Sequence, residues 1–234
     1  FTRALVHADA VVTLNPAMRA DLIKQTAVTP ARVHTIVNPI DIDWVQHRAH
    51  TTKPELARPA LVACGRLTHQ KGFSYLIEAM AQLRATYQQS VQLYILGTGE
   101  EEKMLKIKVR ELDLTDQVHF LGFQDNPYPY LAAADIFVLS SLWEGFGNVL
   151  VEALAVGTAI VSTDCPTGPA DILEQGTYGT LIPPADPEAL ATAIYDMLIA
   201  DQSGDTDRRK ERASAFSPEI VITQYDQLCK SLLV

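Results

Sequence analysis

Short apolar runs alternate with longer stretches of mixed polarity along almost the whole chain. The short runs are rich in Val, Ile, Leu and Ala and are bounded by Gly, Pro, Asn or Asp, so they predict strands at 11–14, 33–37, 60–64, 91–96, 118–121, 136–139, 159–162 and 180–182. The longer stretches space their apolar residues for a helix, as in Phe73, Leu76, Ile77, Met80 and Leu83. They predict helices at 16–26, 73–86, 100–112, 127–134, 148–156, 169–175, 187–200 and 218–232, several opening on a proline in the first turn, where its missing N–H costs nothing. Strand and helix in regular alternation imply an α/β fold: a Rossmann-like parallel sheet with helices on both faces, joined by right-handed crossovers. Residues 44–59 are polar, with two prolines and two histidines, and read as a mobile connector. Residues 202–210 read as a polar loop.

The 234 residues suffice for one core. A formal net charge of −9 argues against nucleic acid as a partner, because a binding face for phosphate backbones must be basic. Cys64, Cys165 and Cys229 are odd in number and widely separated, which suits a reducing cytoplasm better than a disulfide framework. No apolar run reaches the roughly 18 residues of a transmembrane helix. His47 and His50 have no accompanying carboxylate or cysteine cluster, and solvated loop histidines are expected rather than metal ligands.

Two segments carry the chemistry. W-E-G-F-G-N-V-L-V-E-A-L, residues 143–154, places Glu144 before a helix and Glu152 inside it, with Gly145 and Gly147 allowing a ligand close to the backbone. The helix start offers unpaired N–H groups and a partial positive charge, which suit a phosphate, and the carboxylates accept hydrogen bonds from sugar or ribose hydroxyls. G-R-L-T-H-Q-K-G, residues 65–72, follows the strand at 60–64 and supplies two cations, Arg66 and Lys71, at a strand's carboxyl end. The glycines of L-G-T-G-E-E, residues 96–101, do not complete a dinucleotide fingerprint, since the third glycine position holds Glu102; a tight strand-to-helix turn is expected.

G-R-L-x-x-Q-K-G, L-G-T-G-E, F-L-G-F and E-G-F-G-N-V-L-V-E-A-L-A-V-G-T-A-I-V, in that order, resemble the carboxyl-terminal half of retaining glycosyltransferases of family 4, which have the GT-B fold. The resemblance runs from about Val11 to the end. It implies that Arg66 and Lys71 contact the donor diphosphate and that Glu144, the third residue in the catalytic set, contacts hydroxyls of the transferred sugar. It places Glu152 on the nucleotide ribose, the backbone amides of Phe146, Gly147, Asn148 and Val149 around the sugar-phosphate, and the turn at Gly122 and Phe123 against the base.

The segment C-P-T-G-P-A-D-I-L, residues 165–173, is similar to one in members that use UDP-hexoses or UDP-hexosamines, with Asp171 replacing the usual glutamate; a plain helix start explains Asp171 equally well. Donor transfer would proceed with retention and without a cofactor or metal.

By the same resemblance, residues 1–40 are the end of an amino-terminal lobe and the linker N-P-I-D, 41–216 the donor domain, and 217–234 a helix returning towards the other lobe. Because the chain opens on Phe1, the rest of that lobe, with its carbohydrate or lipid-linked acceptor site, is expected to be missing. Transfer by the chain alone should then be weak. Polysaccharide, lipid-linked oligosaccharide or glycolipid synthesis at the cytoplasmic face of the membrane is the implied setting, with peripheral membrane association of the longer protein.

The two glutamates also suit a glycoside hydrolase, but such an enzyme has no need of phosphate-binding cations beside them. The remaining alternative is a nucleotide-binding module that regulates or scaffolds without catalysis.

Overall fold

The computed structural model describes residues 2–200 and 205–233. In chain order the elements are α1 (Thr2–His7), β1 (Val11–Thr13), α2 (Pro16–Gln25), β2 (Val33–Thr35), α3 (Ile42–Ala49), β3 (Ala60–Cys64), α4 (Phe73–Tyr87), β4 (Gln92–Leu96), α5 (Glu102–Glu111), β5 (Val118–Gly122), α6 (Tyr128–Ala133), β6 (Ile136–Leu139), α7 (Asn148–Val156), β7 (Ala159–Thr163), α8 (Pro169–Ile172), β8 (Thr180–Ile182), α9 (Pro187–Ile199), α10 (Asp205–Ser214) and α11 (Pro218–Leu232).

Strands β3 to β8 form a six-stranded sheet in the order β5-β4-β3-β6-β7-β8, every pairing parallel. The chain winds outward from β3 to one edge, returns to the middle, and winds outward from β6 to the other. At their carboxyl ends the neighbouring strands β3 and β6 therefore send their loops to opposite sides and open a crevice between them. Strands β1 and β2 pair separately, also in parallel, over a small core of Val11, Val28 and Val33.

Side chains alternate across the main sheet as the strand repeat requires. Leu61, Ala63, Leu93, Ile95 and Val138 pack beneath α4, α5 and α9, while Val62, Tyr94, Leu96, Phe137 and Leu139 pack against α3, α6, α7 and α8. With both faces covered, the central strands are apolar at every position, which is why they read as continuous runs. The periodic set Phe73, Leu76, Ile77, Met80 and Leu83 is buried.

Two expectations need correction. Residues 44–59 are not a connector throughout: α3 occupies 42–49 and buries Ile42, Val45 and Ala49, with the Asp41 side chain accepting from Trp44 N at 2.9 Å to cap it. The polar surface residues between those three hid their helical spacing. His47 accordingly lies on a helix rather than in a loop. Of the expected loop at 202–210, residues 202–204 lie outside the described residues, while 205–210 belong to α10, which buries Arg209 and Ala213 against its neighbours. The short helix α1 also escaped the pattern.

Candidate functional site

Three loops meet at the crevice, those following β3, β6 and β7. Gly72 sits in the left-handed region at φ 62°, and a Cβ there would lie 2.1 Å from the carbonyl oxygen of Ser140, so only glycine lets the β3 and β6 loops touch. Ser140 Oγ donates to the Lys71 carbonyl at 2.8 Å, Leu142 N donates to the Gln70 carbonyl at 2.8 Å, and Gln70 Nε2 donates to the Trp143 carbonyl at 2.8 Å. The rings of His69 and Trp143 meet edge to face at 6.0 Å. From the β7 side, Thr163 Oγ1 donates to the Ser141 carbonyl at 2.6 Å, and Thr167 Oγ1 donates to the Glu144 carbonyl.

These contacts bring Lys71 and Glu144 together. Lys71 Nζ lies 2.6 Å from Glu144 Oε1, and the same oxygen accepts from the buried Ser141 hydroxyl at 2.6 Å. Both charged side chains are mostly buried, at 18% and 6% exposure, so each depends on the other for compensation. Ser141 had no sequence signal; it is the second of two serines just past the end of β6.

Arg66 is exposed on the β3 loop, and no ion-pair partner holds it among the described residues. It lines a cavity of about 450 Å³ with Cys64, Thr98, Phe123, Gln124 and Pro127. Phe123 is 75% exposed, and a Cβ on Gly122 would meet nothing within 4 Å, so the edge of β5 stands open there. The glycines of 96–101 carry the backbone of this wall: a Cβ on Gly97 would approach the Gly65 carbonyl oxygen to 1.9 Å, and one on Gly99 the Leu67 carbonyl oxygen to 2.3 Å. Leu67 N donates to the Thr98 carbonyl at 2.9 Å across the same seam. Their part is to hold the Arg66 loop.

Glu152, on the second turn of α7, is largely enclosed. Burial pushes its carboxyl up to about 7, against the pull of a hydrogen bond from the Tyr128 hydroxyl. Cys64 lies within the fields of both Glu152 and Lys71, so the cavity, the ion pair and this acid adjoin one another. The Cys64 and Cys165 thiols are themselves pushed up to about 11, chiefly by burial, which makes both poor nucleophiles.

The start of α7 completes the arrangement. Gly147 adopts φ 99° as its N-cap, and the N–H groups of Asn148 and Val149 have no acceptor within the helix. The Phe146 ring is buried against Phe216, 5.9 Å between centroids, and a Cβ on Gly168 would lie 2.0 Å from the Phe146 carbonyl oxygen. A Cβ on Gly145 would meet nothing within 4 Å. Two cations, two acids and a helix start thus border one crevice. Among the described residues no three His, Cys, Asp or Glu side chains are grouped to hold a metal.

The chain belongs to the family described as glycosyl transferases group 1, whose pattern matches residues 48–215. It is 39% identical over 178 residues to the lipopolysaccharide core biosynthesis glycosyltransferase LpsE of Rhizobium meliloti, covering 74% of this chain and 50% of that protein. It is 30% identical over 211 residues to the N-acetylgalactosamine-N,N'-diacetylbacillosaminyl-diphospho-undecaprenol 4-alpha-N-acetylgalactosaminyltransferase of Campylobacter jejuni, covering 89% and 56%.

The fold is that of GT-B glycosyltransferases. HepE from Anabaena, solved with UDP and glucose, superimposes with a TM-score of 0.79 at 24% identity over 99% of this chain and 66% of its own. The chain spans about half the length of the curated relatives it matches. Among the described residues no helix is long and apolar enough to cross a membrane.

Proposed function

We propose that this chain is the donor-binding, carboxyl-terminal half of a retaining family 4 glycosyltransferase and that its donor is a UDP-hexose or UDP-N-acetylhexosamine. The observation that carries this reading is the Lys71–Glu144 pair at the switch point, 2.6 Å apart beside an open helix start. A diphosphate bearing a sugar offers anionic oxygens to the cation and the helix, and hydroxyl donors to the acid, in one molecule.

In this reading Lys71 and Arg66 hold the diphosphate, with the amides of Phe146, Gly147, Asn148 and Val149 around the sugar-phosphate. Glu144 Oε1 is already occupied by Lys71 and Ser141, so the sugar hydroxyls are met by the remaining lone pairs of its carboxylate. Glu152 accepts from the ribose, and Gly122 and Phe123 border the base in the 450 Å³ cavity that Arg66 lines.

During transfer the bond from the anomeric carbon to the diphosphate oxygen breaks, and the bond to the acceptor oxygen forms on the same face. The departing oxygen takes the acceptor's proton. Charge growing on the diphosphate is stabilised by Arg66, Lys71 and the α7 dipoles, so a metal has no assigned part. One such preorganised donor is typically worth about 3 kcal/mol.

Support for UDP comes from HepE, solved with UDP and glucose, and support for envelope saccharide synthesis comes from the names of the two relatives above. The acceptor site, a lipid-linked or saccharide acceptor, and work at the cytoplasmic membrane face belong to the longer protein proposed here. The test is a transfer screen of UDP-, GDP- and ADP-sugars with that longer protein. Retained anomeric configuration with a UDP-sugar is expected; inversion would contradict the mechanism. Nucleotide binding without transfer to any acceptor would favour the regulatory alternative.

A further inference from the structure

The 145–148 turn is held by side chains from far earlier in the chain. Asn15 is buried at 1% exposure where β1 leads into α2. Its Oδ1 accepts from Met18 N at 2.7 Å, capping α2, which leaves Nδ2 to donate to the Gly145 carbonyl at 3.3 Å. The two bonds demand the same amide orientation. Asn38, between β2 and α3, donates from Nδ2 to Asn148 Oδ1 at 3.0 Å. A third tie is indirect: Ile40 N donates to the Phe216 carbonyl at 2.9 Å, and the Phe216 ring packs on Phe146.

Both ends of the turn are therefore gripped by the segment 11–40. With Gly145 and Gly147 in it, the turn has few side chains of its own to fix its shape, and any disorder would have to be removed when a ligand binds.

We propose that Asn15 and Asn38 are positioning residues for donor binding, clamping the 145–148 turn against the β1-β2 unit in the shape that receives the donor phosphate. Neither side chain touches the donor in this scheme; both act through Gly145 and Asn148. The inference rests on the donor-site reading of 144–149 and adds to it a dependence on how residues 11–40 sit. Displacement of the β1-β2 unit releases the turn and weakens donor binding.

Asn15→Asp separates the two bonds of that residue. The carboxylate still caps α2, at a helix start that favours negative charge, but cannot donate to the Gly145 carbonyl. Calorimetric titration of this chain with UDP is expected to show about fivefold weaker binding, the loss of roughly one hydrogen bond, together with a lower melting temperature, since a buried carboxylate then faces the unpaired Gly145 carbonyl.

Asn38→Ala is expected to weaken UDP about threefold, and to have no further effect in an Asn148→Ala background, the signature of a coupled pair. If Asn15→Asp fails to fold, the Asn38 and Asn148 cycle decides alone. Wild-type affinity in both single variants, or an undiminished Asn38→Ala loss in the Asn148→Ala background, would overturn the clamp. An unaltered chain that ignores UDP removes instead the donor reading beneath it, and the clamp with it.

Discussion

Glu152 shows how a residue's surroundings set its work. An acid in solution titrates near 4.5, and enclosure beside α6 moves this one to about 7. Its folded-state value lies above the unfolded one, so the folded chain holds an extra proton between those values. Stability is then greatest at the acid end and falls as pH rises through about 7, by up to about 3 kcal/mol. Donor binding runs the opposite way, because only the carboxylate accepts from both ribose hydroxyls. UDP affinity is expected to rise across the same pH range, with proton release on binding at pH 6.5, and Glu152→Gln should flatten both profiles. Denaturant midpoints and calorimetry in buffers of different ionisation heat check this; parallel slopes for stability and affinity would contradict it.

Two glycines nearby separate backbone need from ligand space. Gly147 has φ 99°, so any side chain there strains the backbone, whereas Gly145 has room for a Cβ. Gly145→Ala is expected to melt like the wild type yet bind UDP-sugar at least tenfold more weakly, as its methyl enters space the ligand needs. Unchanged affinity would show that the space serves no ligand.

Elements were legible where local pattern and tertiary role agree. The strands of the main sheet are buried on both faces and so declare themselves as apolar runs, and α4 declares itself through five buried residues at helical spacing. Helix α3 did not, because its three buried residues, Ile42, Val45 and Ala49, are spread through a short polar stretch, and the helix depends on packing against α6 and α7 and on the Asp41 cap. Asp41→Ala is expected to lower stability by about 1 kcal/mol without moving UDP affinity, measured by denaturant melts and calorimetry. A loss of affinity without a loss of stability would mean that Asp41 serves the site directly.

The site was legible in part for the same reason. Glycine-rich loops and charged residues after strands are visible in sequence. The pairing of Lys71 with Glu144 across 73 residues, the Ser141 hydroxyl between them and the burial of Glu152 exist only once β3 and β6 are neighbours.

At the scale of the whole molecule, the strand order creates the site. A sheet that winds outward from two adjacent strands must open a crevice where they part, and the loops that border it carry Arg66, Lys71 and Glu144, with Glu152 on the helix that follows. Binding and transfer separate at this scale. The crevice is present in this chain, whereas transfer in the proposed reading needs an acceptor lobe closing over it.

The most direct measurement is a calorimetric titration of this chain with UDP, beside Lys71→Gln, which carries no charge. Saturable one-to-one binding is predicted for the wild type. The variant should bind at least tenfold more weakly, the loss expected for a charge-assisted contact, and should melt at a lower temperature because Glu144 loses the charge that compensates it. No binding by the wild type, or equal affinity in the two proteins, would contradict the assignment of this crevice to a nucleotide diphosphate.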